Sequence, residues 1–461
     1  MPMVPFLTRH LIVPLHERLL GRRTLAFVEA MMHTQWLAPD DLAAMQRRKL
    51  RALLQHAHAN TTFYRRRIQR TGADLVCDDP IAVLRALPPL TKAEIRAHRE
   101  EMTWPAVPGG LIPAETGGST GEPLRFFLDR RRQAFDQAAR IRSHRWFGVE
   151  VGERELFLWG SPIEWKRTDA LKRFRDSLFN HRLLSAFDMS PARMDAYLDE
   201  LERFRPAALF GYPSSLALLA EHARRRGRRP DLRNLKVVFV TGETCLPPQR
   251  ALLEECFQVP VADGYGSREG GFIAHACPRG GMHITAENVY VEILNDRGEP
   301  VPAGETGEIA LTHLDAYAMP LIRYRTGDRG RMGKGRCACG RGLPLLESVE
   351  GRNTDFLYFP DGTIKHALSV IYPLREMEGV RQFRVEQRED YSVCVKLVPE
   401  PSQNGRTKEI AVRRLLPVLH PVSFRVELVD GIPVTASGKY RYVVSHVRPS
   451  AEIVAPEGDR A

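Results

Sequence analysis

KVVFVTGETCLPPQRALLEEC, residues 236–256, decides the architecture. A short apolar run closes on Gly242, a polar turn follows, and a helical stretch takes over from Pro247. The same grammar recurs upstream, where ELFLWG (155–160) and AALFGY (207–212) are apolar runs that also end in glycine or a polar residue. Apolar runs alternating with helical segments are the pattern of layered α/β architecture. Outward from this centre the pattern changes. Residues 24–99 carry apolar residues at three- and four-residue intervals, and Asp40 and Asp41 are expected to cap the helix LAAMQRRKLRALLQHA. NVYVEILNDRGEPVPAGETGEIALTHL (288–314) reads as two strands joined by Gly- and Pro-containing turns, a β subdomain. Beyond Gly351 and Arg352, the runs RQFRVEQ, YSVCVKLV and SFRVELV share the chain with the helical KEIAVRRLLPVL, which gives a small α+β unit. The expected organisation is a helical lead-in over 1–100, a large α/β domain over 101–350 and a small C-terminal domain over 351–461.

With 461 residues, 43% hydrophobic and 27% charged, the chain has an ordinary globular composition and room for more than one core. Its net charge of +11 is spread along the sequence, and even the cluster Arg224, Arg225, Arg226, Arg228 and Arg229 reads as a solvated helix end. No nucleic-acid role is read from it. No run of 18 apolar residues offers a membrane span, and Arg9, His10 and Pro14 interrupt the N-terminal apolar stretch. Seven cysteines, odd in number and sparse, point to a reducing compartment, the cytoplasm.

Four segments carry chemistry. In TGGSTGEP (116–123), Gly117, Gly118 and Gly121 let backbone N–H groups approach an anion, and Thr116, Ser119 and Thr120 add hydroxyls; this suits phosphate, although a flexible turn has the same composition. It lacks the Gly-Lys-Ser/Thr ending of the common nucleoside-triphosphate loop. In DGYGSREGG (263–271), Tyr265 can stack on a base, Ser267 can donate to a phosphate oxygen, and Glu269 suits Mg²⁺; the alternative is a Gly-rich turn with an exposed Glu. In RYRTGD (323–328), Asp328 can accept from two ribose hydroxyls, and in SGK (437–439), Lys439 can bridge a carboxylate and an α-phosphate, where otherwise each is a charged surface residue.

The ordered set TGGSTGEP, GYGSREG, RYRTGD, EGR and SGK, running from Thr116 to Lys439, resembles the adenylate-forming acyl ligases, specifically the phenylacetate-coenzyme A ligase branch with its capsular-polysaccharide-associated relatives. The resemblance implies two half-reactions. A carboxylic acid attacks the α-phosphate of Mg·ATP to give an acyl-adenylate and pyrophosphate, and a second nucleophile then displaces AMP. Thr116 to Gly121 would hold the β- and γ-phosphates, Gly242 and Glu243 would line the adenine pocket with Tyr265 and Gly266, and Ser267 would contact phosphate. Glu269 would hold Mg²⁺ and Asp328 the ribose, with Arg325 on the same loop. The small domain would be mobile, hinged near Gly351-Arg352, and would deliver Lys439 for adenylation only. Phe210, Gly211, Tyr212 and Ser214 would border the acyl pocket, an aromatic acid being one reading of it.

The sequence departs from the branch after Gly351-Arg352, where GRNTDFLYFPDGTIKH replaces the usual Asp-Asp-Met and Gly-Val-Asn-Val-like continuation. Coenzyme A is the default acceptor on the resemblance, but carrier-protein thiols, amines and direct AMP transfer stay open, the last two placing the enzyme in polysaccharide or secondary-metabolite synthesis. A homodimer is likewise open. A non-catalytic nucleotide-binding protein fits less well, since it would have no use for Lys439.

A separate set, Cys277 and His283 in CPRGGMH and Cys337 and Cys339 in GRCACGRGLP, has the inventory of a closed Cys₃His zinc site, with four unligated residues as the alternative. A full first shell would make any such zinc structural. Cys77, Cys245, Cys256 and Cys394 read as small buried hydrophobes.

Overall fold

The valine-rich run that opened the sequence reading forms a strand covered on both faces. Val238 and Val240 pack with the helices Pro191–Phe204, Pro213–Arg225 and Pro247–Phe257, while Val237 and Phe239 face Val149, Ala208, Ala262 and the helix Arg130–Arg145. A strand buried on two sides has no polar face to alternate with, so it reads as a continuous apolar run. The computed structural model describes residues 4–115, 124–160, 175–187, 189–350, 356–375, 377, 379–400, 406–432 and 442–447.

With strands numbered along the chain, β1 (Ile112–Glu115) and β2 (Arg125–Leu128) form a hairpin ahead of a seven-stranded sheet. That sheet contains β3 (Glu155–Trp159), β4 (His181–Ser185), β5 (Ala208–Gly211), β6 (Val237–Thr241), β7 (Val261–Ser267), β8 (Gly271–Ala276) and β9 (Met282–Ile284), in the order 4-3-5-6-7-8-9. The first five are parallel, and β8 and β9 continue the sheet antiparallel. Because β4 and β5 flank β3 on opposite sides, the carboxyl ends of β3 and β5 form the switch point where open α/β sheets bind ligands. Proline opens each of the three helices that follow β4, β5 and β6, where its missing N–H costs nothing.

An antiparallel sheet of β10 (Val289–Leu294), β11 (Thr306–His313), β12 (Tyr324–Met332) and β13 (Leu346–Glu350) stands beside the first. The helices Pro39–Asn60, Thr62–Gln69, Pro80–Ala86 and Lys92–Met102 share a single core with it, in which Leu50, Leu54, Tyr64 and Leu90 pack with Ile273, Ile309, Leu311 and Tyr324. Arg323 fastens the two: its guanidinium binds Glu292 at 3.1 and 3.2 Å and donates to the carbonyls of Arg85, Leu87 and Gly298. The first long helix begins at Pro39, so Asp40 and Asp41 are not caps; they lie in its first turn, where carboxylates meet the positive end of the helix dipole.

In the C-terminal region, β14 (Phe356–Tyr358) and β15 (Ile364–His366) form a hairpin, and β16 (Val380–Gln387), β17 (Val393–Pro399), β18 (Phe424–Leu428) and β19 (Val443–Ser445) form a sheet in the order 18-17-16-19. Helices Leu368–Arg375 and Arg406–Leu419 close a core of its own around Phe383, Val395, Leu397 and Leu415. The amide of Met189 donates to the carbonyl of Ile364 at 3.1 Å, joining this region to the large one.

Two smaller readings are settled by the side chains. Four of the five arginines of the cluster are answered within the protein, with Arg224 and Arg225 on Glu221, Arg226 on Asp195, and Arg228 on Asp199 and Glu202. Cys394 is buried and Cys245 and Cys256 partly so, but Cys77 is exposed, contrary to the sequence reading; it sits in a polar turn where Asp74 accepts from its amide.

Candidate active site

The cleft is built at the carboxyl ends of β5, β6 and β7 and on the first half of β12. β7 runs through Ser267, so the Gly-rich segment that reads as a turn is largely the end of a strand, and the turn into β8 falls at 268–270. Glycine is required inside it: a Cβ on Gly266 would lie 2.6 Å from the carbonyl oxygen of Gly271. Tyr265 is partly buried, and its hydroxyl donates to Asp328 Oδ2 at 3.1 Å although the residues are 63 apart in sequence. Burial, reinforced by the Asp328 carboxylate, pushes the Tyr265 phenol well above its ordinary pKa, so it stays a neutral donor. Thr326 Oγ1 accepts from the Asp328 amide at 3.1 Å and donates to the Ile309 carbonyl at 2.9 Å, which fixes the loop.

Glu269 is buried and accepts from the Tyr324 hydroxyl at 2.9 Å. Its turn is held from beneath by Arg132, a fully buried guanidinium that donates to the carbonyls of Arg268 and Glu269 and reaches Asp136 at 3.7 Å. Asp136 in turn meets His313 Nε2 at 3.3 Å. Ser267 Oγ accepts from the Gly270 amide at 2.8 Å. Arg325 does not point into open space: its Nε donates to Glu308 Oε2 at 2.6 Å.

On the β5–β6 side, Tyr212 stacks on Trp159 with ring centroids 3.9 Å apart and donates to the Gly160 carbonyl at 3.1 Å. Phe210 packs on the other part of Trp159, centroids 5.6 Å apart. Gly211 must be small, since a Cβ there would be 2.7 Å from the Leu158 carbonyl oxygen. Gly242 takes φ +85° and passes close over the Tyr212 ring, a placement open to glycine alone. Glu243 accepts from the Ser214 amide at 3.3 Å, which sets its carboxylate on the N-terminus of the helix Pro213–Arg225. Ser214 is buried.

The structure therefore gathers Phe210, Gly211, Tyr212, Ser214, Gly242 and Glu243 on one side of the cleft and Tyr265, Gly266, Ser267, Glu269, Arg325 and Asp328 on the other. Thr116, Gly117, Gly118, Ser119, Thr120, Gly121, Arg352 and Lys439 lie outside the described residues. Sequence reasoning missed Trp159, Arg132 and Tyr324 as builders of the site. Tyr324 stands inside a motif already singled out, and Arg132 follows Asp129, whose carboxylate caps its helix by accepting the Arg132 amide at 2.8 Å; nothing in the sequence marked Trp159.

The four residues of the second set, 56 and 60 residues apart in pairs, meet in space with their donor atoms all within 4.8 Å. Cys277 Sγ is 3.5 Å from Cys337 Sγ, and Cys339 Sγ is 3.2 Å from His283 Nε2. A tetrahedral zinc with Zn–S bonds of about 2.3 Å needs sulfurs roughly 3.8 Å apart, so the spacing fits. His283 Nδ1 faces the Leu343 carbonyl at 3.2 Å, which leaves Nε2 as the ligand atom. Gly281 is packed against the site, a Cβ there falling 2.7 Å from Cys337 Sγ.

The AMP-binding enzyme family matches residues 183–313 and the CapK C-terminal domain matches 357–446. A phenylacetate-coenzyme A ligase of Thermus thermophilus is 26% identical over 340 residues, covering 70% of this chain and 72% of that protein. Protein CapK of Staphylococcus aureus is 23% identical over 430 residues, covering 89% and 90%. Among solved structures, 2-hydroxyisobutyryl-CoA ligase in complex with 2-HIB-AMP and CoA superposes with a TM-score of 0.61 at 22% identity, covering 89% of this chain and 91% of that one, a likeness of fold. The family match and the curated relatives support an adenylate-forming enzyme of the AMP-forming acid–thiol ligase type. Within that class the chain is most like the branch that holds the phenylacetate-coenzyme A ligases and CapK, which the matches support.

Proposed function

We propose that the protein activates a carboxylic acid with Mg·ATP as an acyl-adenylate, releasing pyrophosphate, and passes the acyl group to the thiol of coenzyme A with release of AMP. The observation that carries this reading is the pairing of Tyr265 with Asp328 beside the buried Glu269, which puts an aromatic face, a ribose acceptor and a metal-binding carboxylate in one cleft. Tyr265, Gly242 and Glu243 take the adenine, Asp328 the ribose, and Ser267 the phosphates with Thr116 to Gly121. Glu269 holds Mg²⁺, which neutralises phosphate charge when bound. The acid enters against Trp159, Phe210, Gly211, Tyr212 and Ser214, an apolar and aromatic wall that favours aromatic acids. Lys439 meets the carboxylate and α-phosphate during adenylation, and Arg352 marks the hinge of the small domain.

One observation favours a different acceptor. The alignment with the Thermus ligase covers 70% of the chain while that with CapK covers 89%, and the C-terminal domain is of the CapK kind. An amine or a hydroxyl would then replace coenzyme A after the same activation, whereas direct AMP transfer onto another acceptor would bypass acid activation. Acid-dependent pyrophosphate release, measured over a panel of aromatic and aliphatic acids with and without coenzyme A, separates them. Release with coenzyme-A-dependent AMP turnover supports the ligase, release alone supports the other acceptors, and silence across the panel with ATP bound rejects acid activation. Lys439→Ala is expected to remove pyrophosphate release by at least about 100-fold while leaving thioester formation from supplied acyl-adenylate intact.

The Cys277, His283, Cys337 and Cys339 set holds a structural zinc in this reading, tying β8 and β9 to the 337–343 loop. Metal analysis of protein purified without an affinity tag tests it, and substantially less than one equivalent per chain would reject it.

A further inference from the structure

Of the twelve large hydrophobic side chains exposed on the described residues, six lie between residues 4 and 19: Val4, Phe6, Leu7, Leu11, Leu15 and Leu19. Five of them recur at intervals of three or four residues, one face of a helix, and residues 5–19 are helical throughout, with one wide turn at Thr8–Ile12. The opposite face is anchored. Thr8 is buried and donates to the Leu178 carbonyl at 3.0 Å, Val13 is buried, Arg9 pairs with Glu150 at 3.4 Å, and the His16 ring meets Phe179 at 4.9 Å. The segment is thus held on the body of the protein with an apolar stripe turned outward, and an exposed stripe of this kind marks an interaction surface.

Charge selects the occupant. Arg18, Arg22 and Arg23 flank the end of the stripe at Leu19, and Arg130 reaches the same turn, its Nη1 lying 2.9 Å from where a Cβ on Gly21 would be. None of these four arginines has a carboxylate partner among the described residues. The one acid in the stretch, Glu17, is occupied by the Thr24 amide at 3.2 Å. A second copy of the chain would bring the same unanswered positive charge, whereas an apolar stripe with a cationic end matches an anionic lipid surface, with leucines entering the acyl boundary and arginines meeting headgroups. We propose that residues 4–23, with Arg130, dock this protein on anionic membrane surfaces. The segment lies on the bilayer rather than across it, as no helix among the described residues is long and apolar enough to span one.

The test is sedimentation of the full-length protein with vesicles of phosphatidylcholine, with and without about one third phosphatidylglycerol, in about 0.1 M salt. The expected result is binding to the anionic vesicles that falls at least about tenfold in the Leu11→Glu/Leu15→Glu variant, with its melting temperature kept, since both side chains are exposed. Arg18→Glu/Arg22→Glu is expected to erase the preference for anionic over neutral vesicles. Three results would overturn the proposal: no binding of the wild type to either vesicle, binding that survives the leucine substitutions, or a dimer in light scattering that those substitutions disperse.

Discussion

The nucleotide cleft and the cysteine–histidine cluster both collect residues from distant parts of the chain, yet they are held in different ways. In the cleft the polar groups satisfy one another: Tyr265 donates to Asp328, Tyr324 to Glu269, and Arg132 props the turn between them. Such a site keeps its shape with no ligand bound, because Tyr265, Tyr324, Glu269 and Asp328 already have hydrogen-bond partners. In the cluster the four donor atoms face chiefly each other, and burial pushes the Cys277 thiol up to about 11 while it lowers the His283 imidazole to about 4. A dication bound by the four would convert the same geometry into a strong tie. The cleft is preorganised by protein; the cluster has the donor set of a metal site.

The largest effect that would sharpen this contrast is Glu269→Gln. It keeps the shape and the bond to Tyr324 and removes the charge, so pyrophosphate release is expected to fall by about 100- to 1,000-fold with the melting temperature nearly unmoved. A large loss of stability instead would show that the cleft is not self-supporting. Next comes Cys339→Ser, expected to lower metal content and destabilise the protein by about 3 kcal/mol or more; a chelator should then lower the melting temperature of the wild type and leave the variant unchanged. Equal melting curves for both would break the comparison.

A third test uses the amino-terminal end of the same sheet, where His181 lies 3.9 Å from Glu155. Burial, only partly opposed by Glu155, lowers the His181 imidazole to about 4. The unfolded chain, with an ordinary histidine near 6.5, takes up this proton first as pH falls, so the contribution is present above about pH 6.5 and is lost towards pH 4. The expected cost between pH 7 and pH 5 is about 1–2 kcal/mol, flattened in His181→Gln and followed by chemical denaturation. The smallest effect belongs to Tyr265→Phe. Losing one hydrogen bond of about 1 kcal/mol should raise KM for ATP roughly fivefold with kcat little changed.

Much of this was legible in the sequence because the signal was local. β3, β5 and β6 announce themselves as apolar runs ending in glycine, since both their faces are covered. β4 escaped: HRLLS has two apolar residues among five and no glycine to close it. In the cleft, the order of motifs singled out residues that the structure brings together, and residue type suggested their chemistry. What the sequence could not give was partnership, as with Tyr265 and Asp328, which meet across two sheets, or Arg132, whose part depends on carbonyls more than a hundred positions away. The metal set was legible as an inventory only, because convergence of four side chains is a property of the packed loops.

Gln35 shows how late such packing must come. At the end of the helix Thr24–Thr34, its Oε1 accepts from Trp146 Nε1 at 2.7 Å and from Arg341 Nε at 3.2 Å, and its carbonyl accepts from the Gly342 amide at 2.9 Å. Leu50, Leu54 and Tyr64 likewise find their neighbours on β11 and β12. During synthesis the first hundred residues therefore leave the ribosome well before the strands that cover them, by on the order of tens of seconds at about 5–20 residues per second. For that interval the apolar faces of four helices are without their native cover. Birth of the chain, more than its finished stability, is where this protein is most exposed to aggregation.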